Sequence, residues 1–410
     1  MMAIAYDGKS LKTRILETDT LQVLYPCGFV RQDYDNQMIV LTVNSGSTSV
    51  KLAAYDTAGA APKRLESEHH TGSHLAPRAL LSGILRKLPG PPDVVAHRVV
   101  HGGTRFTSPT RLDDQVIAAI DQLSELAPLH NPTALEWIRA ARAEYGDKIV
   151  HVAVFDTAFF AGLPRCAAEY ALPAHLGMDH GVRRYGFHGL AHEAMWRRWC
   201  ELYPRLPRGG RLITVQLGGG CSITALDQGR PVDHSMGFSP LEGLVMATRS
   251  GDVDPSILPY LQKRLSLSGE QLIGMLNHDA GLKGLAGKDA NPGELLADPA
   301  PQSQFAVELY CYRLRKYIGA YCAVLHGCDG IVFGGGVGEH VPQVRERTLA
   351  NMAWAGIELD PQANSAAQGA EAAIQSARSV VKVQVIPVDE ELVMVRGAVA
   401  TLAGTPLATT

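Results

Sequence analysis

The chain has no cysteine pair at C-x-x-C spacing and no cysteine set with histidine at zinc-finger spacing, which excludes a structural zinc module and a thioredoxin-like redox centre. Its seven cysteines (27, 166, 200, 221, 311, 322 and 328) are odd in number and scattered. They read as unpaired, mostly buried thiols in a reducing cytoplasm. No apolar run reaches the ~18–20 residues of a bilayer-spanning helix. The first 37 residues lack the charged start, apolar centre and small-residue cleavage site of a signal peptide. No G-x-x-x-x-G-K-[ST] loop occurs, which excludes a P-loop enzyme. There is no basic excess either. A net charge of −3 excludes nucleic acid and anionic membranes as electrostatic partners.

What is present is the profile of a globular enzyme, with 46% apolar and 19% charged residues. At 410 residues, the chain is long enough for about two domains. Met38 stands directly before the first convincing strand. The first 37 residues are therefore either an extra arm or a stretch ahead of the true translation start.

Three β-rich, glycine-punctuated segments follow. In Met38–Asp56 and again in Arg211–Val232, an apolar strand, a small-residue loop and a second strand come in the same order. That repetition points to an internal duplication, one copy per domain. The third, D-G-I-V-F-G-G-G-V-G-E, is a short buried strand breaking into glycines ahead of a helix expected over Pro342–Trp354. Asp93–Val100 and Lys148–Phe155 read as buried strands. Asn131-Pro132 and Asp254-Pro255 read as an N-cap followed by proline at the first helical position. Residues 361–380, rich in Ala, Ser, Gln and Asn, read as a polar helix or loop. Strands alternating with helices give an α/β class.

The groups that could carry chemistry lie at the ends of these strands. Arg249 sits in T-R-S-G-D-V-D-P among small residues. It reads either as the partner of Asp252 or Asp254 in an ion pair, or as a clamp for a carboxylate or phosphate. The loop Asn44-Ser-Gly-Ser-Thr-Ser49 offers hydroxyls and close amides, as a polar turn does and as a phosphate site does. Asp156 ends a buried strand, as an N-cap or a metal or base carboxylate. Glu390 and Glu391 follow the last apolar strand, as first-turn helix charges or Mg²⁺ ligands. Arg98, His130 and His188 stand in A-H-R-V-V-H-G-G, A-P-L-H-N-P and R-R-Y-G-F-H-G. Together these groups are a phosphoryl-transfer inventory. They lack the Ser-His-Asp set of a hydrolase and the ligand cluster of a zinc enzyme.

Taken in order, V-N-S-G-S-T-S-V-K, H-R-V-V-H-G-G, L-A-P-L-H-N-P, V-A-V-F-D-T-A-F, R-R-Y-G-F-H-G, S-M-G-F-S-P-L-E-G-L-V-M-A-T-R-S-G-D-V-D-P, G-G-G-V-G-E and I-P-V-D-E-E-L-V resemble the acetate kinase family. The resemblance runs from about Met38 to the last helix. It implies a duplicated actin/hexokinase-like (ASKHA, ribonuclease H-like) α/β fold of two domains with a cleft between them. The first domain would be residues 38–160 with 391–410, and the second 161–390 on the nucleotide side, with 1–37 as an extension. It further implies a cytoplasmic homodimer and Mg²⁺, with Mn²⁺ as the alternative ion. The implied reaction is reversible transfer of the ATP γ-phosphoryl group to acetate, giving acetyl phosphate and ADP.

By the same resemblance, Asn44, Asp156 and Glu390 form the metal environment. Arg98, Arg249, His188 and His130 face the reacting groups, and Val100, Leu129, Phe187 and Pro240, with Arg98, hold the substrate. Ser47, Ser49, Lys51, Gln216, Gly218, Gly219, Gly220, Gly334, Gly335, Gly336 and Gly338 line the phosphate and nucleotide side. Valine at position 100 favours acetate over longer acids, by the ~1–3 kcal/mol that one methylene supplies.

The departures from the family pattern cluster on the donor side. H-L-G-N-G becomes Gln216-Leu-Gly-Gly219-Gly220, and H-G-T-S-H becomes His188-Gly-Leu190-Ala191-His192. Phe160 replaces a histidine, residues 287–292 replace G-V-S-S-D-M-R, and His340 replaces an asparagine. These changes leave open a pyrophosphate-linked acetate kinase, a propionate or other short-chain carboxylate kinase, or an impaired homologue that senses nucleotide or acyl phosphate.

Overall fold

The computed structural model describes residues 22–24, 30–32, 38–46, 49–59, 61–72, 75–146 and 148–404. Of the expected N-terminal extension it shows only β1 (Gln22–Leu24) paired antiparallel with β2 (Val30–Gln32). Ser47 and Cys27 lie outside the described residues. Cys166, Cys221, Cys311, Cys322 and Cys328 carry free thiols.

The first six-stranded sheet contains β3 (Ile39–Ser45), β4 (Ser49–Asp56), β5 (Lys63–Thr71), β6 (Val94–Val99), β7 (Thr110–Arg111) and β8 (Val150–Phe155). Its spatial order is β5-β4-β3-β6-β8-β7. The second contains β9 (Arg211–Leu217), β10 (Cys221–Asp227), β11 (Arg230–His234), β12 (Gly330–Gly334), β13 (Ala372–Ala373) and β14 (Lys382–Val385), in the order β11-β10-β9-β12-β14-β13. Both sheets have an antiparallel meander of three strands, then two parallel neighbours, then an antiparallel edge strand. The duplication read from two segments thus extends to every position of both sheets. This is the two-domain α/β architecture expected of the actin/hexokinase fold.

Apolar alternation explains the layering. Ile213, Val215 and Leu217 of β9 face a large cluster with Val307, Leu314 and Ile318 of the helix Pro301–Val324. Leu212, on the opposite face, packs with Met195 and Trp199 of the helix Gly189–Leu202. The last helix, Glu390–Leu402, returns to the first sheet, where Val393, Met394 and Ala398 pack on Val40, Ala53 and Val152. It also lies against Gly189–Leu202, so these two helices join the sheets.

Several local expectations are corrected. Asn131 is the first helical residue rather than the cap. Its buried amide instead clamps the backbone of His101, accepting from its N–H and donating to its carbonyl, both at 3.1 Å. Asp254 closes a turn on the Ser256 N–H at 2.8 Å, and the helix begins at Ile257. The helix after the third glycine segment ends at Leu349 rather than Trp354. The 361–380 stretch holds the short helix Pro361–Ala366 and edge strand β13. Strand β5 gave no signal, since its K-R-L-E-S-E-H-H-T run is a largely solvated edge.

Candidate active site

The candidate side chains converge from the carboxyl ends of β3, β6, β8 and β9, the region where open α/β sheets place ligands. Asn44 lies near the end of β3, cross-strand from Lys51, and Arg98 lies near the end of β6. Asp156 follows β8, and Phe155, not Asp156, is the cap of the short helix there. The Asp156 carboxylate accepts Arg98 Nε at 3.2 Å and Nη2 at 2.7 Å. Arg98 Nη1 donates to Asn44 Oδ1 at 3.1 Å and lies 3.5 Å from Glu390. The Asn44 amide nitrogen reaches Glu390 at 2.7 Å and Glu391 at 2.8 Å. Both glutamates are first-turn residues of the last helix, which Asp389 caps. Burial works against the Arg98 charge, but Asp156 and Glu390 outweigh it and hold the guanidinium above its ordinary range. Burial, aided by Glu390, pushes the Asp156 carboxyl above its usual range, against the opposing pull of Arg98 and the Leu190 N–H. Burial likewise opposes the charge on Glu390, yet Arg98 and Asn44 bring its carboxyl below the usual range.

Arg249 is in a different state. Asp252 is occupied by the Gly243 N–H at 2.9 Å and the Tyr317 hydroxyl at 2.7 Å. Asp254 is occupied by Ser256. Arg249 Nη1 donates only to the Pro240 carbonyl at 3.2 Å, with Met246 Sδ at 3.8 Å. Among the described residues it pairs with no carboxylate, so the ion-pair reading is overturned. Burial lowers its pKa, as expected for a desolvated cation awaiting a counter-charge.

His188 lies on the same side. A Cβ added to Gly220 would lie 3.2–3.5 Å from the His188 ring and Arg249 Nη1, so both crowd against the glycine loop between β9 and β10. His188 takes a left-handed conformation, φ 59°, as the cap of Gly189–Leu202. Burial, then the charge of Arg98, drives its pKa far down despite Glu390. His130 caps the helix Asn131–Tyr145. Burial, with Arg249 and Arg98 nearby, takes it to about 4. Both rings are therefore neutral at physiological pH.

The remaining expected residues divide. Val100 and Phe187 share one buried apolar cluster, and Pro240 touches Arg249. Leu129 stands at the rim, 45% exposed. Gly218 N–H closes onto the Gly220 carbonyl at 3.0 Å. Gly334 caps the short helix Gly335–His340, so Gly336 and Gly338 are helical. Gly335, at φ 76°, lies against Gln216 and Leu217, where a side chain would not fit. This brings the two glycine loops together. The Gln216 amide oxygen is buried with no hydrogen-bond partner among the described residues. Ser49 begins β4, and Lys51 is exposed on it.

The departing residues have defined places. Phe160 packs on the rings of His234 and His192. Residues 287–292 turn between two short helices, where Asn291 and Glu294 form a capping box. Exposed His340 lies under Gly369. Sequence reasoning missed Thr214 and Ser222 and met His192 only within an altered motif, yet the three contact His188 directly or in sequence. The available signal was hydroxyl residues at alternate positions of otherwise apolar strands.

The sequence profile of the Acetokinase family matches residues 63–396. The chain belongs to this family. It is thus a kinase, a phosphotransferase. The family's acetate kinase from Clavibacter michiganensis subsp. michiganensis is 41% identical over 397 residues, covering 89% of this chain and 100% of that protein. The solved acetate kinase of Porphyromonas gingivalis superposes with a TM-score of 0.80 at 33% identity, covering 89% of this chain and 100% of that one. A propionate kinase of Francisella tularensis superposes at 0.78, with 32% identity, 88% coverage of this chain and 98% of that one. Among the described residues no helix is long and apolar enough to cross a membrane.

Proposed function

We propose that this acetokinase-family enzyme reversibly transfers the γ-phosphoryl group of ATP to acetate in a Mg²⁺-dependent reaction. The observation that carries the reading is Arg249, a partly buried guanidinium with no carboxylate partner among the described residues, set beside His188 and a glycine loop. In-line transfer spreads negative charge over the three equatorial oxygens of the moving phosphoryl group. Arg249 and His188 supply preorganised donors for that charge, and their desolvation raises the strength of each contact. Arg98 is locked by Asp156 and Asn44, so it orients the acceptor with a fixed edge. Acetate is ionised at neutral pH, so its oxygen needs no base to attack. The neutral state of His188 and His130 agrees with that, since they donate hydrogen bonds without shuttling protons.

The residues present fit Mg²⁺. Asp156 and Glu390 both pair with the partly buried Arg98 guanidinium, and Glu391 is held by the Asn44 amide, leaving surplus negative charge on hard oxygen ligands. Among the described residues no cage of three or more His, Cys, Asp or Glu is present. One or two carboxylates, with water and phosphate oxygens, make up the usual Mg²⁺ set. When bound, it would neutralise the phosphate charge, with Asp156 and Glu390 as its holders.

A specific observation favours a second donor. Gln216 stands at the glycine loops where the family pattern has a histidine, so an uncharged amide takes the place of a ring that can carry charge. A polyphosphate such as pyrophosphate is the corresponding alternative. One assay addresses both readings. Purified protein, Mg²⁺ and hydroxylamine are mixed with acetate or propionate and with ATP or pyrophosphate, and trapped acyl hydroxamate is measured. Acetohydroxamate with ATP is expected. Product only with pyrophosphate moves the reading to the second donor, and none with any pair overturns both.

Val100 and Phe187 support a pocket sized for a methyl group. Val100→Ala is expected to raise the propionate-to-acetate ratio of kcat/KM by roughly tenfold, the lower end of a one-methylene effect. A ratio within twofold of wild type removes Val100 from the acyl pocket.

A further inference from the structure

Behind His188 runs a buried chain of hydrogen bonds. Its Nδ1 lies 2.9 Å from Ser222 Oγ, and the same oxygen lies 2.7 Å from His192 Nε2. His192 Nδ1 in turn lies 2.7 Å from Thr214 Oγ1. Ser222, His192 and Thr214 are completely buried, and Phe160 closes over the His192 ring. Thr214 and Ser222 lie on the face of β9 and β10 that meets the helix Gly189–Leu202, so three elements fix the row.

Counting protons gives the row a direction. Burial keeps His192 neutral, with Nε2 or Nδ1 protonated but not both. Two orientations satisfy every contact within the row. In one, the Thr214 hydroxyl donates to His192 Nδ1, His192 Nε2–H donates to Ser222, and Ser222 donates to His188 Nδ1. Neutral His188 then carries its proton on Nε2, beside Gly220 and Arg249. In the reverse orientation every donor turns round, and the Thr214 proton has no acceptor among the described residues. An unpaired buried hydroxyl is the more expensive state.

We propose that Thr214, His192 and Ser222 form a one-way relay that fixes His188 as its Nε2–H tautomer, making it a donor rather than an acceptor toward the cleft. The three are positioning residues, as the buried aspartate is in setting the histidine tautomer of serine proteases. The catalytic consequence rests on the proposed phosphoryl transfer; the tautomer does not.

The test labels the histidine rings with ¹⁵N and reads long-range ¹H–¹⁵N correlations of the full-length protein at neutral pH. His188 is expected as Nε2–H, and an Nδ1–H signal overturns the relay. In Thr214→Val the Nε2–H form is expected to give way to a mixture. There kcat should fall roughly 10–10²-fold with KM little changed, a loss on the scale of one misdirected donor. Thr214→Ser is expected to restore both the tautomer and kcat. Unchanged tautomer and rate in Thr214→Val would refute the proposal. Should Thr214→Val not fold, Ser222→Ala removes the shared oxygen, and the wild-type spectrum already decides the direction. An Nε2–H tautomer in a protein that forms no acyl hydroxamate leaves the relay standing and sinks the function instead.

Discussion

Arg249→Ala is expected to lower turnover by roughly 10³–10⁵, the scale on which an arginine finger acts in phosphoryl transfer. The protein should remain folded. Arg249 makes one backbone hydrogen bond and pairs with no carboxylate among the described residues, so its removal strands no buried counter-charge. Burial opposes its cation in the absence of ligand. Its loss should therefore leave thermal stability unchanged or slightly higher, the signature of a side chain kept for activity. Arg98→Ala should behave differently, because it leaves Asp156 and Glu390 without their guanidinium. Steady-state kinetics with a thermal melt make the comparison. A turnover loss under tenfold in Arg249→Ala contradicts the assigned role.

The second large effect lies away from the reacting groups. Arg345 is 0% exposed and pairs with no acid among the described residues. It donates to Gly338 O at 2.7 Å, Glu339 O at 3.2 Å, Asn364 Oδ1 at 2.9 Å, Asn364 O at 2.8 Å and Ala367 O at 2.6 Å. Burial lowers its pKa to about 10, still a cation at neutral pH. One side chain therefore satisfies the last turn of the Gly335–His340 helix and the end of Pro361–Ala366. Arg345→Ala leaves those oxygens buried and opens a cavity. A loss of about 3–5 kcal/mol is expected, read in a chain of 410 residues as a melting temperature lower by roughly 3–6 °C. The exposed neighbour Arg347→Ala should stay within about 0.5 kcal/mol. A shift under about 2 °C for Arg345→Ala means the network is dispensable.

Arg345 also marks what sequence reading could reach. Its surroundings, Q-V-R-E-R-T, are those of a solvated helix face, and nothing local announces four partner residues up to 22 positions away. The strands at the heart of both sheets were legible because apolar runs and small-residue loops repeat in order. Edge strand β5 was not, since a solvated edge carries no apolar period. The Arg249 segment posed two alternatives that only the positions of Gly243, Tyr317 and Ser256 could separate, because each occupies an aspartate that might have paired with it. Asn131 shows the reverse case. Its cap-like context was plain, but tertiary contact with His101 took the side chain elsewhere. The Thr214–His192–Ser222 row joins three elements and could be assembled only in space.

The most direct measurement is formation of a dead-end complex from Mg²⁺, ADP, acetate and aluminium fluoride, a mimic of the phosphoryl group in flight. It is followed as slow, acetate-dependent inhibition. Wild-type protein is expected to form it, and Arg249→Ala to lose it while binding ADP with an unchanged Kd. Equal inhibition of the two proteins, or none in the wild type, would contradict the central claim that this unpaired arginine exists to meet the charge of the transferring phosphoryl group.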